Sequence, residues 1–318
     1  MPNDELPVNP NRRRFLKSIL GIGGALEAEA SVEARVKPAT KKPLINMEEK
    51  FFWADLKNGN IGFPTGLMLP SGRPGSIMKL ITAAALLEEG TLSANEIIEC
   101  RGAYKPKLAR DRIACPKAHG ELRVEEALGL SCNVYFATLA ERLRPGTFLA
   151  YARAFGLDKP VSEFKNFAFP ETFRDDEIVS VCIGLNEAFK PDALQLLRVA
   201  ALVGCNGEVP FLKDAQRIDL KGESFKLNLK NETFSRLKKG MRYALLKGTA
   251  ECMDPEDRLK LAVKTGTVGH GKKFESWIIG FFPYDKPKYA FSLFAPVGVS
   301  HDSAVPLAAR RLLSVEWP

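Results

Sequence analysis

"PGSIMKLITAAALLEEG", residues 74–90, is the stretch whose reading decides the fold. From Ile77 to Leu87 it is almost wholly apolar, so it predicts a helix buried on most of its sides and ending near Gly90. Ser76 and Lys79 stand three residues apart at its head, a spacing that puts both side chains on one face. An ammonium group at the start of a core helix is expensive to desolvate. Either Lys79 snorkels to water and Ser76 only caps the helix, or the pair does chemistry.

Outward from this helix, the flanks are strand-like. On the N-terminal side, "MEEKFFWADLKNGNIGF" has a β-rich run over 50–56 and an Asn58-Gly59 turn that favours a hairpin. On the C-terminal side the chain reads as helical for most of its middle. After a polar loop over 105–121, helical periodicity covers 123–143, 191–207 and about 232–246, with Asp192 near the start of the second of these stretches. The character then changes. "KLAVKTGTVG", "ESWIIGFFPY" and "KYAFSLFAP" are three strand-like runs, and "DSAVPLAARRLL" closes the chain as a helix with a Ser/Asp cap. Early strands, a helical middle and late strands predict an α+β fold: an antiparallel sheet built from both chain ends, with a helical subdomain inserted.

Composition narrows the function classes. The 318 residues are 45% apolar and 26% charged, which suits a globular core and argues against disorder. The net charge of +8 favours polyanions such as wall polymers, but the basic residues are scattered and no nucleic-acid motif accompanies them. No segment reaches the roughly 18–20 apolar residues that span a bilayer. "NRRRFLKSILGIGGALEAEA", residues 11–30, instead has a basic cluster, a short apolar run and an Ala28-Glu29-Ala30 pattern. Its Arg12-Arg13 pair resembles a twin-arginine export signal. The predicted organisation is an export signal over 1–30, a basic, Pro-containing linker over 31–44 and one domain over 45–318. Localisation is then the periplasm or cell envelope.

Six cysteines (100, 115, 132, 182, 205 and 252) and three histidines (119, 270 and 301) show no Cys-x-x-Cys spacing, so neither a zinc site nor another cofactor is expected. Cys100 and Cys115 bracket the polar loop, and whether they pair is left open by spacing alone. Cys132 reads as a packed thiol rather than a reagent. His119 and His270 read as loop histidines, because no Gly-x-Ser-x-Gly elbow presents a serine to either.

Three short motifs line up along the chain. Ser76-x-x-Lys79 heads the buried helix, Ser131-Cys132-Asn133 ends the "LGLS" stretch and enters a helix within 123–143, and Lys264-Thr265-Gly266-Thr267 lies on the first late strand. Singly they are weak: Ser-x-x-Lys arises by chance on the order of once in a chain this long, and Ser235–Lys238 is a second copy in a polar stretch. Ser93-Ala94-Asn95 likewise duplicates the second motif, but reads as a turn and cap. In this order and these contexts the trio is that of penicillin-binding proteins and serine β-lactamases. "HGELRVEEALGLSCNVYFATLAERL", "IGLNEAFKPDALQLLRVAALVGCNGEVP" and "GMRYALLKGTA" extend the resemblance to penicillin-binding transpeptidase domains over roughly 45–318.

The resemblance implies roles residue by residue. Ser76 is the nucleophile and Lys79 its base. Ser131 passes a proton towards the leaving amine, and Asn133 bonds the substrate backbone. Lys264 supplies positive charge, while Thr265 and Thr267 engage a terminal carboxylate. Gly266 lets the substrate approach the strand, and the Ser76 and Thr267 amides form an oxyanion hole. The implied activity is a serine D,D-transpeptidase or D,D-carboxypeptidase acting on peptidoglycan stem peptides that end in D-Ala-D-Ala, with β-lactams as inhibitors. Wall-assembly proteins are the implied macromolecular partners. Two alternatives stay open: a serine β-lactamase on the same fold, for which Glu163 near Asn166 offers a loose echo of a deacylating loop, and a non-catalytic wall-peptide scaffold or sensor.

Overall fold

The computed structural model describes residues 50–62, 69–93, 95–109, 111–159, 161, 168–214, 224–270 and 273–317. The expected export signal and linker, and Glu163 with Asn166, lie outside the described residues. Strands β1 (Phe51–Asp55) and β2 (Asn60–Gly62) are joined through the Asn58-Gly59 turn, and a 3-10 turn at Gly75–Ile77 leads into α1 (Met78–Glu88). Short strands β3 (Ile98–Cys100), β4 (Ala103–Tyr104), β5 (Ile113–Ala114) and β6 (Gly120–Leu122) come next. Helices α2 (Val124–Gly129), α3 (Asn133–Ala140), α4 (Pro145–Ala154), α5 (Ile178–Cys182) and α6 (Ala193–Gly204) make up the helical middle. The chain continues with β7 (Glu208–Val209), β8 (Lys213–Asp214), β9 (Phe225–Lys226) and α7 (Asn231–Lys247). It closes with β10 (Ala262–His270), β11 (Lys273–Phe282), β12 (Tyr289–Ala295) and α8 (Ala304–Leu313).

The main sheet has the order β10-β11-β12-β1-β2-β8, so both chain ends do build it. All neighbours are antiparallel except β2 and β8, a two-residue parallel pairing contributed by the middle of the chain. β1 lies between β12 and β2, with Trp53 opposite Phe291 and Gly62. The central strands are apolar at nearly every position because both faces are covered. Along β11 the alternation of a strand sends Trp277, Ile279 and Phe281 to the helical core containing α1 and α6. Ile278 and Phe282 go to a second core under α8. The result is three layers with the sheet in the middle.

Local signals explain most boundaries. Asp192 caps α6 by accepting from the amides of Leu194 and Gln195, and the Gln195 side chain returns the bond to the Asp192 amide. Every residue of α6 is buried, and Ser292 on β12 donates to the Ala193 carbonyl at 2.7 Å, tying that helix to the sheet. Three details differ from expectation. The stretch 123–143 is two helices, broken at Leu130–Cys132. The polar loop contains β5 and β6, two- and three-residue strands whose pairing rests on tertiary contacts. Finally, Ser303 precedes α8 without a side-chain cap, since its hydroxyl is engaged with Ser276 and the Val299 carbonyl.

Candidate active site

The site starts where α1 starts. Gly75, with φ of +56°, forms the 3-10 turn that carries Ser76, and a Cβ on it would lie 2.9 Å from the Thr267 amide nitrogen. The turn is held from the other side by Gly184, whose carbonyl accepts from the Gly75 amide at 3.1 Å. A Cβ on Gly184 would sit 1.8 Å from the Gly75 carbonyl oxygen, so only glycine permits this approach. Ser76 is half-buried at the turn. Lys79, one helical turn on, is fully buried.

The second wall is the break between α2 and α3. Ser131 sits there with φ of 55°, a left-handed conformation that ends one helix and redirects the chain into the next. Its carbonyl accepts from Lys79 Nζ at 2.7 Å, and its hydroxyl accepts from Lys264 Nζ at 2.9 Å. Asn133 accepts from Lys79 Nζ through Oδ1 at 2.6 Å and donates through Nδ2 to the Ala114 carbonyl at 2.8 Å. One residue thus links both lysines, and a second anchors Lys79 to the β5 segment.

The third wall is β10, at the edge of the sheet. Lys264 is fully buried and also donates to the Thr265 carbonyl at 2.9 Å. Thr265 donates to Thr249 Oγ1, and Thr267 to Ser300 Oγ, at 2.7 and 2.9 Å. Thr249 and Ser300 are partners the sequence reading missed; "GMRYALLKGTA" held the only signal, for Thr249. Gly266 has a structural reason of its own. A Cβ there would lie 2.2 Å from the Pro74 carbonyl oxygen, so the bare backbone lets the turn carrying Ser76 pack closely on β10.

Burial shapes the electrostatics. Desolvation holds the Lys79 ammonium down to about 8, against the weaker opposing pull of the nearby Cys132 and Cys115 sulfurs. Lys264 is pushed well below the usual lysine range by burial and then by the charge of Lys79. A lysine that sheds its proton near neutrality beside a serine can accept the hydroxyl proton, and a positive neighbour draws carboxylates.

His119 precedes β6 and His270 ends β10. His119 stands with Cys100, Cys115 and Cys132, all four ligand atoms within 4.8 Å of one another. Cys100 and Cys115 are free thiols with sulfurs 3.8 Å apart, so they are not paired. Nothing in the linear spacing hinted at this convergence.

Comparison with known proteins agrees with the geometry. The penicillin binding protein transpeptidase domain family matches residues 65–305. A peptidoglycan D,D-transpeptidase, PbpA, from Mycolicibacterium smegmatis is 24% identical over 260 residues, covering 73% of this chain and 51% of that protein. The chain therefore spans about half the length of this curated relative. Among solved structures, penicillin-binding protein PBP2 from Helicobacter pylori superposes with a TM-score of 0.72 at 17% identity, over 98% of this chain and 64% of the other. Penicillin-binding protein A from M. tuberculosis, solved as a ceftriaxone acyl-enzyme complex, gives 0.68 at 18% identity, over 84% and 73%. By its sequence match over three motif-bearing walls that the fold brings together, this chain belongs to the penicillin-binding protein transpeptidase family.

Proposed function

We propose that this chain is an exported serine D,D-transpeptidase, a domain over 45–318 behind an export signal, acting on peptidoglycan stem peptides that end in D-Ala-D-Ala. The observation that carries the reading is Ser131, whose carbonyl holds Lys79 and whose hydroxyl holds Lys264 at the head of the Ser76 helix. Neutral Lys79 takes the Ser76 proton as Oγ attacks the penultimate carbonyl. The developing oxyanion lies between the Ser76 and Thr267 amides, which the Gly75–Thr267 approach supports. As the peptide bond breaks, Ser131 delivers a proton, drawn from Lys79, to the departing D-alanine amine. Asn133 bonds the substrate backbone, while Lys264, Thr265 and Thr267 receive the terminal carboxylate. An amine from a second stem peptide then releases the acyl group; water in its place makes the same site a D,D-carboxypeptidase.

β10 supports this mode of binding, because an edge strand offers a ladder to an extended peptide. A groove lined by Arg73, Glu187, Val268 and Gly269 flanks the Gly75–Thr267 contact, with Arg73 and Glu187 paired at 2.9 Å. The test is an intact-mass time course after brief exposure to benzylpenicillin, with Ser76→Ala alongside. A persistent adduct on the wild type alone is expected. Rapid drug consumption without an adduct would make the chain a β-lactamase, and a folded protein with neither response would refute the enzymatic reading.

A further inference from the structure

The thiol cluster lies outside the catalytic reading and does not depend on it. Four separate segments deliver it: Cys100 ends β3, Cys115 follows β5, His119 precedes β6 and Cys132 is the N-cap of α3. The β3–β6 ladder pairs Cys100 with Gly120, and the His119 amide donates to the Cys100 carbonyl at 3.1 Å. The Cys115 amide donates to the Gly102 carbonyl at 2.8 Å. These backbone bonds fix three of the four ligand positions relative to one another.

The distances carry a chemical message. Cys100 and Cys115 sulfurs are 3.8 Å apart, those of Cys115 and Cys132 are 3.7 Å apart, and Cys100 Sγ is 3.4 Å from His119 Nδ1. A tetrahedral zinc ion with bonds of about 2.3 Å to sulfur and about 2.0 Å to nitrogen has edges of roughly 3.8 Å between sulfurs and roughly 3.5 Å between sulfur and nitrogen. A disulfide needs about 2.05 Å. These three edges match a tetrahedral metal cage and not a disulfide, and all four ligand atoms lie within 4.8 Å of one another.

The surroundings fit thiolates. The amides of Asn133 and Val134 donate to Cys115 Sγ at 3.2 and 3.4 Å, and the Tyr135 amide donates to Cys132 Sγ at 3.3 Å. A neutral thiol is a weak acceptor, whereas three amides converging on two sulfurs resemble the outer shell that supports metal-bound thiolate. Soft sulfur with one imidazole, in a four-ligand arrangement, selects zinc over hard cations such as magnesium or calcium.

We propose that Cys100, Cys115, His119 and Cys132 bind one zinc ion in a closed site. On binding, three Zn–S bonds and one Zn–N bond form, and three thiol protons leave to solvent, giving a centre of net charge −1 with neutral His119. All four positions are filled by protein, so the site is structural and leaves no place for a metal-bound water. Cys132 lies between Ser131 and Asn133, and Cys115 follows the Ala114 carbonyl that anchors Asn133. The ion therefore staples the β3–β6 segment to the loop of the second motif.

The test uses the full chain, purified without chelator and reduced. Elemental analysis is expected to find zinc close to one per chain, released in step with a thiol-specific mercurial. Replacement by Co2+ is expected to give the intense visible bands of tetrahedral cobalt with sulfur-to-metal charge transfer in the near ultraviolet. In Cys115→Ser and in His119→Ala the zinc content of the folded fraction falls about tenfold or more. The wild-type cobalt spectrum keeps the proposal testable should either variant fail to fold. Folded, reduced wild type that holds no zinc and develops no cobalt–thiolate band would overturn the assignment, as would a disulfide among Cys100, Cys115 and Cys132 in protein purified under non-reducing conditions.

Discussion

Two walls of one site are built by different physics. β10 is held by a nine-residue antiparallel ladder to β11, and β11 is buried on both faces by apolar side chains. The segment from β3 to Asn133 has ladders of only two and three residues, and its geometry rests on side chains: Lys79 to Ser131 and Asn133, Asn133 to Ala114, and the thiols. A ladder flanked by two cores is cooperative and stiff. A wall of polar links is adjustable, and errors in it reach the reacting atoms before they reach global stability.

This contrast can be broken by experiment. The largest effect is expected at Lys79→Met: it removes both the proposed base and the link to Ser131 and Asn133, and penicillin acylation should fall about a thousandfold. Comparable acylation in folded Lys79→Met would dissolve the claim for the polar wall. Trp277→Ala, in the ladder wall, should cost about 3–5 kcal/mol in denaturant unfolding while the surviving folded protein acylates nearly normally. Gly266→Ala joins the two behaviours. Its Cβ pushes on the Pro74 carbonyl, so acylation should drop about a hundredfold with a stability loss of about 1–3 kcal/mol.

A pH profile comes next in size. Because burial holds Lys79 at about 8, acylation should fall about tenfold for each pH unit below that value and level off above it. The same depression bears on stability with a definite sign. Between about 8 and the ordinary lysine value of 10.5 the unfolded chain binds a proton that the folded chain does not. Lys79 therefore adds stability as pH rises through that window, and this contribution is lost as pH falls back to 8. The smallest effect is expected at Arg142→Ala, where a partly exposed pair with Glu96 is worth about 0.2–1 kcal/mol.

Where the sequence could be read, periodicity or local chemistry did the work. α1, α6, α7 and the late strands announce themselves through apolar patterning, and Asp192 and the Asn58-Gly59 turn through side-chain and backbone preference. The motif residues Ser76, Lys79, Ser131, Asn133, Lys264, Thr265 and Thr267 do come together, although Lys79 bonds to Ser131 and Asn133 in ways no spacing encodes. The left-handed Ser131 was invisible because it carries no glycine. β5 and β8 are too short for any pattern. The cysteines converge only through the folding of a polar segment, so their linear spacing gave no sign of the cluster.

The turn that carries Ser76 has a consequence for how this chain can evolve. Gly75, Gly184 and Gly266 each press bare backbone against a neighbouring strand or loop, leaving no volume for a methyl group. Three positions around Ser76 thereby exact a penalty in stability and in site geometry for any side chain they gain. Variation around the site is cheaper through the polar wall, where a side chain can change without displacing the turn that carries Ser76.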